Sequence, residues 1–271
     1  MTPAATPRPD PGPNPGPAPR DDAAVRFARR AAQDAAAGRP AAPFHPPVAE
    51  APADLVDGAR RFAFASRVRP HPGFRTGGDA TVVVEQPAGV FVGMIDVLGH
   101  GLLAGNVSRN IDTWLREPGR NLSDVDAVLA GLDDHLRGGL GAAAGLLWCD
   151  RATGHATYTA VGNTVARHFG PPPGVGGRAG GTATAARRQD RRLIARDGTL
   201  GSVMPSPRHD TLCLGPDDTL LFYTDGLSDR FDFADVPGLA LAAPATVVET
   251  LVDRFGKDHD DASAICLRYA R

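Results

Sequence analysis

The sequence predicts an α+β domain in which antiparallel sheet is covered by segregated helices. Three observations carry this. Strand-like segments come first, two helical segments follow together, and many strands precede a final helix and strand. Short turn signals at Asp150–Gly154 and Gly162–Asn163 make neighbouring strands antiparallel. The segments also lack the regular alternation of a βαβ dinucleotide fold, and no internal repeat is visible.

Taken in order, residues 1–55 form a tail too rich in Pro and Ala to offset the entropy of ordering, with one short helical stretch at 21–38. A single domain follows over 56–271. β-Branched and aromatic content predicts strands over 62–68 and 79–86, and the apolar run 89–96 reads as a strand covered on both faces. Leu103, Val107, Ile111 and Leu115 recur four apart, which predicts a helix ending before Pro118. A second helix has Ser123 as N-cap and Val125, Val128, Leu129, Leu132 and Leu136 on one face. Strands are expected over 142–150, 155–163, 164–170, 191–196, 211–215 and 219–226, with a loop over 171–190. An amphipathic helix over 245–256 and a strand within 260–270 close the chain.

Composition excludes several classes. The 271 residues carry a formal charge of −2 and are 42% apolar, which fits neither a nucleic-acid scaffold nor a membrane protein. The N-terminus lacks a basic start followed by an apolar stretch, so a cytoplasmic protein is expected. Cys149, Cys213 and Cys266 sit singly in apolar stretches and read as small buried hydrophobes, not as a disulfide or zinc framework. Lys257 is the one lysine among 29 basic residues, a bias that removes arginine clusters as signs of function.

Aspartates recur where apolar strands start or stop. Asp79 opens a strand after Gly77 and Gly78, Asp96 closes one before Gly99, Asp225 ends TLLFYTDG, and Asp260–Asp261 precede ASAICLR. Taken singly, each could be a turn residue bonding its own backbone. Gathered in one cleft they would repel one another, and a hard divalent cation with oxygen ligands, magnesium or manganese, is the ordinary means of keeping them ionised.

The ordered set GGDA, IDVLGHG, GVGNT, DGTLG, FYTDGLSDRFD and DHDDASAICLR resembles the PPM-type metal-dependent serine/threonine phosphatases of the SpoIIE/RsbX-like branch, over residues 68–271. The resemblance implies an α-β-β-α sandwich of two mainly antiparallel sheets with a binuclear Mn2+ or Mg2+ centre at one end. It implies that Asp96 is the bridging ligand and that the backbone carbonyl of Val97 serves the second metal. Asp225 and Asp260 match the remaining ligands of the first metal, with Asp261 the alternative to Asp260, and Asp79 matches the acidic position of the second. Catalysis would fall on the centre around Asp96 and Asp225, where a metal-activated water replaces a protein nucleophile. Gly99 and Gly101 would let the chain fold back after Asp96.

The remaining polar candidates read as structural: His100 caps or packs a helix start, Arg75 is an exposed loop residue, Asn163 fixes a turn, and 187–192 is a solvated loop. The function implied is hydrolysis of phosphoserine or phosphothreonine on a bacterial signalling protein, by analogy a STAS-domain antagonist in a partner-switching stress or sigma-factor pathway. A pseudophosphatase binding module and a two-metal hydrolase of small phosphate esters are the alternatives. No nucleic-acid or membrane partner is expected.

Overall fold

The structure, a computed structural model, describes residues 61–170, 190–216, 218–236 and 238–270. The tail over 1–55, its helical stretch at 21–38, and all but the last residue of the loop over 171–190 lie outside the described residues.

Among the described residues, ten strands form two five-stranded sheets in which every neighbouring pair is antiparallel. In chain order they are β1 (Arg61–Arg69), β2 (Asp79–Gln86), β3 (Gly89–Val97), β4 (Ala142–Asp150), β5 (His155–Val161), β6 (Val165–Phe169), β7 (Asp190–Arg192), β8 (His209–Cys213), β9 (Thr219–Tyr223) and β10 (Ala262–Ala270). One sheet has the order β1-β10-β9-β6-β7 and the other β2-β3-β4-β5-β8. Helices α1 (Gly101–Leu115) and α2 (Val125–Leu136) pack on the second sheet, and α3 (Pro244–Phe255) packs on β1 and β10 of the first. The result is the α-β-β-α sandwich expected from the sequence. None of the described helices is long and apolar enough to cross a membrane.

The alternation of side chains along a strand explains how one sequence covers two faces. In β3, Val90, Val92 and Met94 enter the core between the sheets, together with Leu220 and Phe222 of β9 and Ile265, Leu267 and Tyr269 of β10. The intervening Leu221, Tyr223, Ala264 and Cys266 turn outward to Val247, Val248, Leu251 and Val252 of α3. A sheet buried on both faces must be apolar at nearly every position, hence the continuous runs.

Several local expectations are corrected. Leu103 is 61% exposed; the buried face of α1 is Ala104, Val107, Ser108, Ile111 and Leu115. The N-cap of α2 is Asp124, whose carboxylate accepts from the backbone N–H of Ala127 at 3.0 Å, one residue beyond Ser123. Gly162–Asn163 does not close a hairpin: β5 and β6 belong to different sheets, and this turn carries the chain across the sandwich. The strand expected over 191–196 is only the three-residue β7; beyond it Leu193 still donates its backbone N–H to Ala166 O at 2.8 Å and buries its side chain between the sheets. Cys149 and Cys266 are buried as expected, whereas Cys213 lies on β8, the outermost strand of its sheet, and is exposed.

Candidate functional site

The register of the strands brings the predicted acidic positions to one end of the sandwich. Asp79 and Asp96 are directly opposite each other in the β2–β3 ladder. Asp96 has the parity of Val90, Val92 and Met94, so it continues the face that looks toward the other sheet. On that other sheet, Thr224 and Ser263 have the parity of Phe222 and Ile265 and meet Asp79 from across the gap. Thr224 Oγ1 donates to Asp79 Oδ2 at 2.9 Å and Ser263 Oγ donates to the same oxygen at 2.6 Å. Asp225 follows β9 directly after Thr224, and Asp260–Asp261 lead into β10, the strand paired with β9.

The carboxylates lie close enough to act on one another's charge. Asp79 is buried, and its carboxyl is held well above the usual range by desolvation first and the Asp96 charge second, against which the Ser263 and Thr224 hydroxyls work. Asp96 is half-buried and pushed up to about 7. Burial is again the main cause, followed by the negative charges of Asp225, Asp260 and Asp261, with a hydrogen bond from Asn163 opposing them.

The two adjacent aspartates differ sharply. Both carboxylate oxygens of Asp261 are engaged by backbone: Oδ1 accepts from His71 N–H at 2.7 Å and Oδ2 from Gly78 N–H at 2.6 Å. Asp261 is buried and grips the 71–78 loop so closely that a Cβ at Gly77 would lie 2.3 Å from its Oδ1. The half-buried Asp260 has one oxygen on the N–H of Asp261, at 2.9 Å.

After Asp96 the chain turns through Gly99 and Gly101, with φ of 90° and 78°, left-handed values that favour glycine. A Cβ at Gly101 would also lie 2.8 Å from the ring of Phe74. Val97 is buried, and a Cβ at Gly78 would stand 2.5 Å from its carbonyl oxygen, so glycine at 78 leaves that oxygen uncrowded. His100 makes no capping bond; its ring stacks on His71 with centroids 5.2 Å apart and lies 4.5 Å from that of Phe74. Arg75 is exposed on the same loop.

Asn163 does more than shape a turn. Its Nδ2 donates to Asp225 Oδ2 at 2.7 Å, which orients that carboxylate from the chain segment that crosses between the sheets. Thr224, Ser263 and Lys257, which touches the backbone of Asp225, are the site residues that local pattern did not reveal. For Thr224 and Ser263 the signal was present as strand parity, each lying two residues from an inward-facing core side chain.

Among the described residues, no three His, Cys, Asp or Glu side chains close around a single point as a metal ion would require. The donor set nevertheless suits a hard divalent cation: it is all oxygen, it is partly withdrawn from water, and its members raise one another's proton affinity in the way a bound cation would reverse.

A family model described as Stage II sporulation protein E (SpoIIE) matches residues 86–270. Among solved structures, a chain from a study of the bacterial stressosome is similar with TM-score 0.63 and 21% identity, over 77% of this chain and 100% of that one. RsbX in complex with magnesium gives TM-score 0.61 and 16% identity, over 80% and 98%. PppA, a regulatory component of the type VI secretion system in Pseudomonas aeruginosa, gives 0.58 and 20%, over 78% and 100%. At these identities the likeness establishes a shared fold. No curated protein matches in sequence.

Proposed function

The chain belongs to the SpoIIE family of PP2C-type serine/threonine phosphatase domains, and from that premise we propose a Mn2+- or Mg2+-dependent phosphatase acting on phosphoserine or phosphothreonine of a signalling protein. The substrate we assign is a STAS-domain antagonist in a partner-switching pathway; similarity to a chain from a stressosome that controls secondary messenger signalling supports a signalling role. The observation that supports this most strongly is the crowding of Asp79, Asp96, Asp225 and Asp260 at one end of the sandwich, with Asp96 pushed up to about 7 by burial and by its acidic neighbours.

Asp96 would lie between two cations, Asp225 and Asp260 would complete the first site, and the Val97 carbonyl with Asp79 would serve the second. Bound there, a pair of divalent cations supplies Lewis acidity, lowering the pKa of an attacking water and clamping the phosphoryl oxygens. The chain's own residues set the geometry. Thr224 and Ser263 fix the buried Asp79 carboxylate through two hydroxyl bonds to one oxygen. Asn163 orients Asp225. Asp261 serves as a latch: with both oxygens on backbone N–H groups it anchors the 71–78 loop beside Asp79 and leaves Asp260 as the ligand of the pair.

Phosphate release from a phosphoserine protein, measured with and without Mn2+ for the wild type, Asp96→Asn and Asp225→Asn, tests this. The expected result is Mn2+-stimulated turnover by the wild type and loss of at least about a hundredfold in both variants, since each removes a charge that holds the cations. Equal turnover by all three would overturn it.

A further inference from the structure

The segment that carries Asp225 out of β9 and the segment that carries Asp260 into β10 run side by side. Leu227 and Gly256 form an isolated bridge, Ser228 N–H donates to Phe255 O at 2.9 Å, and Lys257 N–H donates to Gly226 O at 2.8 Å. The junction is closed from the other end as well: a Cβ on Gly226 would stand 1.6 Å from the carbonyl oxygen of Asp261. Into this junction the side chain of Lys257 folds back, and Nζ donates to the backbone carbonyl of Asp225. One residue at the start of the 257–260 stretch thus holds both Asp225 and Gly226. The Asp225 carboxylate is meanwhile held by Asn163, and Asn163, Lys257 and Asp225 line one cleft of about 430 Å³.

Lysine is the unusual choice in this chain. It occurs once among 29 basic residues, the other 28 being arginine. The arginine form of the same function is already present beside it: Arg69 donates through Nη2 to the carbonyl of Lys257 at 2.5 Å and through Nη1 to that of Val252 at 3.4 Å. That guanidinium fills the space against Gly256, where a Cβ would lie 2.8 Å from Nη2. The other side of the junction has to reach a single carbonyl between two closely apposed backbones. A compact ammonium on a flexible stem does this; a broad, planar fork of five donors does not.

Resting on the phosphatase reading above, we propose that Lys257 is a positioning residue: by tying the Asp225 carbonyl to the start of the stretch that presents Asp260, it fixes the separation of these two ligands and thereby the affinity of the site for its cation.

The test uses the full chain and the variants Lys257→Met, which keeps an unbranched stem without the ammonium, and Lys257→Arg, which keeps the charge. Mn2+ binding is measured by calorimetry well below the melting temperature, and metal-free melting is followed in parallel. Mn2+ affinity should fall by about tenfold or more in both variants, as for other residues that orient metal ligands. Turnover at saturating Mn2+ should return to within a few-fold of wild type, because every ligand is still present. A merely structural role would lower the melting temperature and leave the affinity of the folded protein unchanged. Wild-type affinity in Lys257→Met, with Asp225→Asn defective as the control, would overturn the assignment of Lys257 alone. Full recovery of affinity in Lys257→Arg would overturn the argument from ammonium shape. A wild-type chain that binds no Mn2+ would bring down the metal reading and this one with it.

Discussion

Replacing Asp96 by Asn should make the metal-free protein more stable while abolishing its activity. The carboxyl is pushed up to about 7 in the folded chain, against about 3.9 when unfolded. Because the folded value is the higher one, the fold carries no penalty below the unfolded pKa. The penalty grows as pH rises between the two values and is fully present above the folded one. At pH 8 the ionised Asp96 therefore costs at most about 4 kcal/mol, and at pH 5 about 1.5 to 2 kcal/mol. Asn keeps the shape and removes the charge. Urea unfolding in the presence of EDTA should show the variant more stable by up to about 4 kcal/mol at pH 8, with a melting temperature higher by about 10 °C, and a gain less than half as large at pH 5. Added Mn2+ should raise the stability of the wild type by mass action and leave the variant nearly unmoved. A variant no more stable than wild type at pH 8, or a gain equal at the two pH values, would refute the reasoning that these carboxylates strain the fold for the sake of a cation.

Other expectations follow from the same geometry. Ser263→Ala removes the 2.6 Å donor of the buried Asp79 and should cost about 1–3 kcal/mol in urea unfolding at neutral pH. Asp260→Asn should lose Mn2+ binding by calorimetry with little change in metal-free stability. Asp261→Ala strips the acceptors of two backbone N–H groups and should lower metal-free stability by about 2–4 kcal/mol, read in the same unfolding assay. Gly226→Ala places a Cβ 1.6 Å from backbone that cannot yield without moving Asp261; thermal melting should show a loss of about 3 kcal/mol or more.

How much of this was legible beforehand depended on whether the cause was local. The span of β2 and most of that of β3, together with the apolar face of α2, follow from period and composition over a few residues, and the structure reproduces them. Asp79, Asp96 and Asp225 stood out because a carboxylate at the end of an apolar strand is conspicuous within one segment. What failed was what two distant segments decide together. Gly162–Asn163 carries hairpin chemistry, yet the chain it redirects enters the other sheet, where β6 finds β9. Leu103 fits the helical spacing, but it is exposed and α1 buries Ala104 and Ser108 instead, Ser108 Oγ donating to Gly77 O in the loop before β2. The sequence prefers Asp260 to Asp261 as the ligand but gives no role to the second; the 71–78 loop, nearly two hundred residues earlier, takes Asp261 as its anchor. Lys257 touches a carbonyl, which no motif of side chains can announce.

The end of the sandwich bearing residues 79, 96, 225 and 260 is proposed as a divalent-cation site. Crystals of the full chain grown with Mn2+, with data collected at the manganese absorption edge, test it most directly. Two anomalous peaks are expected there, one by the carboxylates of Asp96, Asp225 and Asp260 and the other by Asp96, the Val97 carbonyl and Asp79. An empty anomalous map at that end, or manganese bound only elsewhere on the molecule, would contradict it.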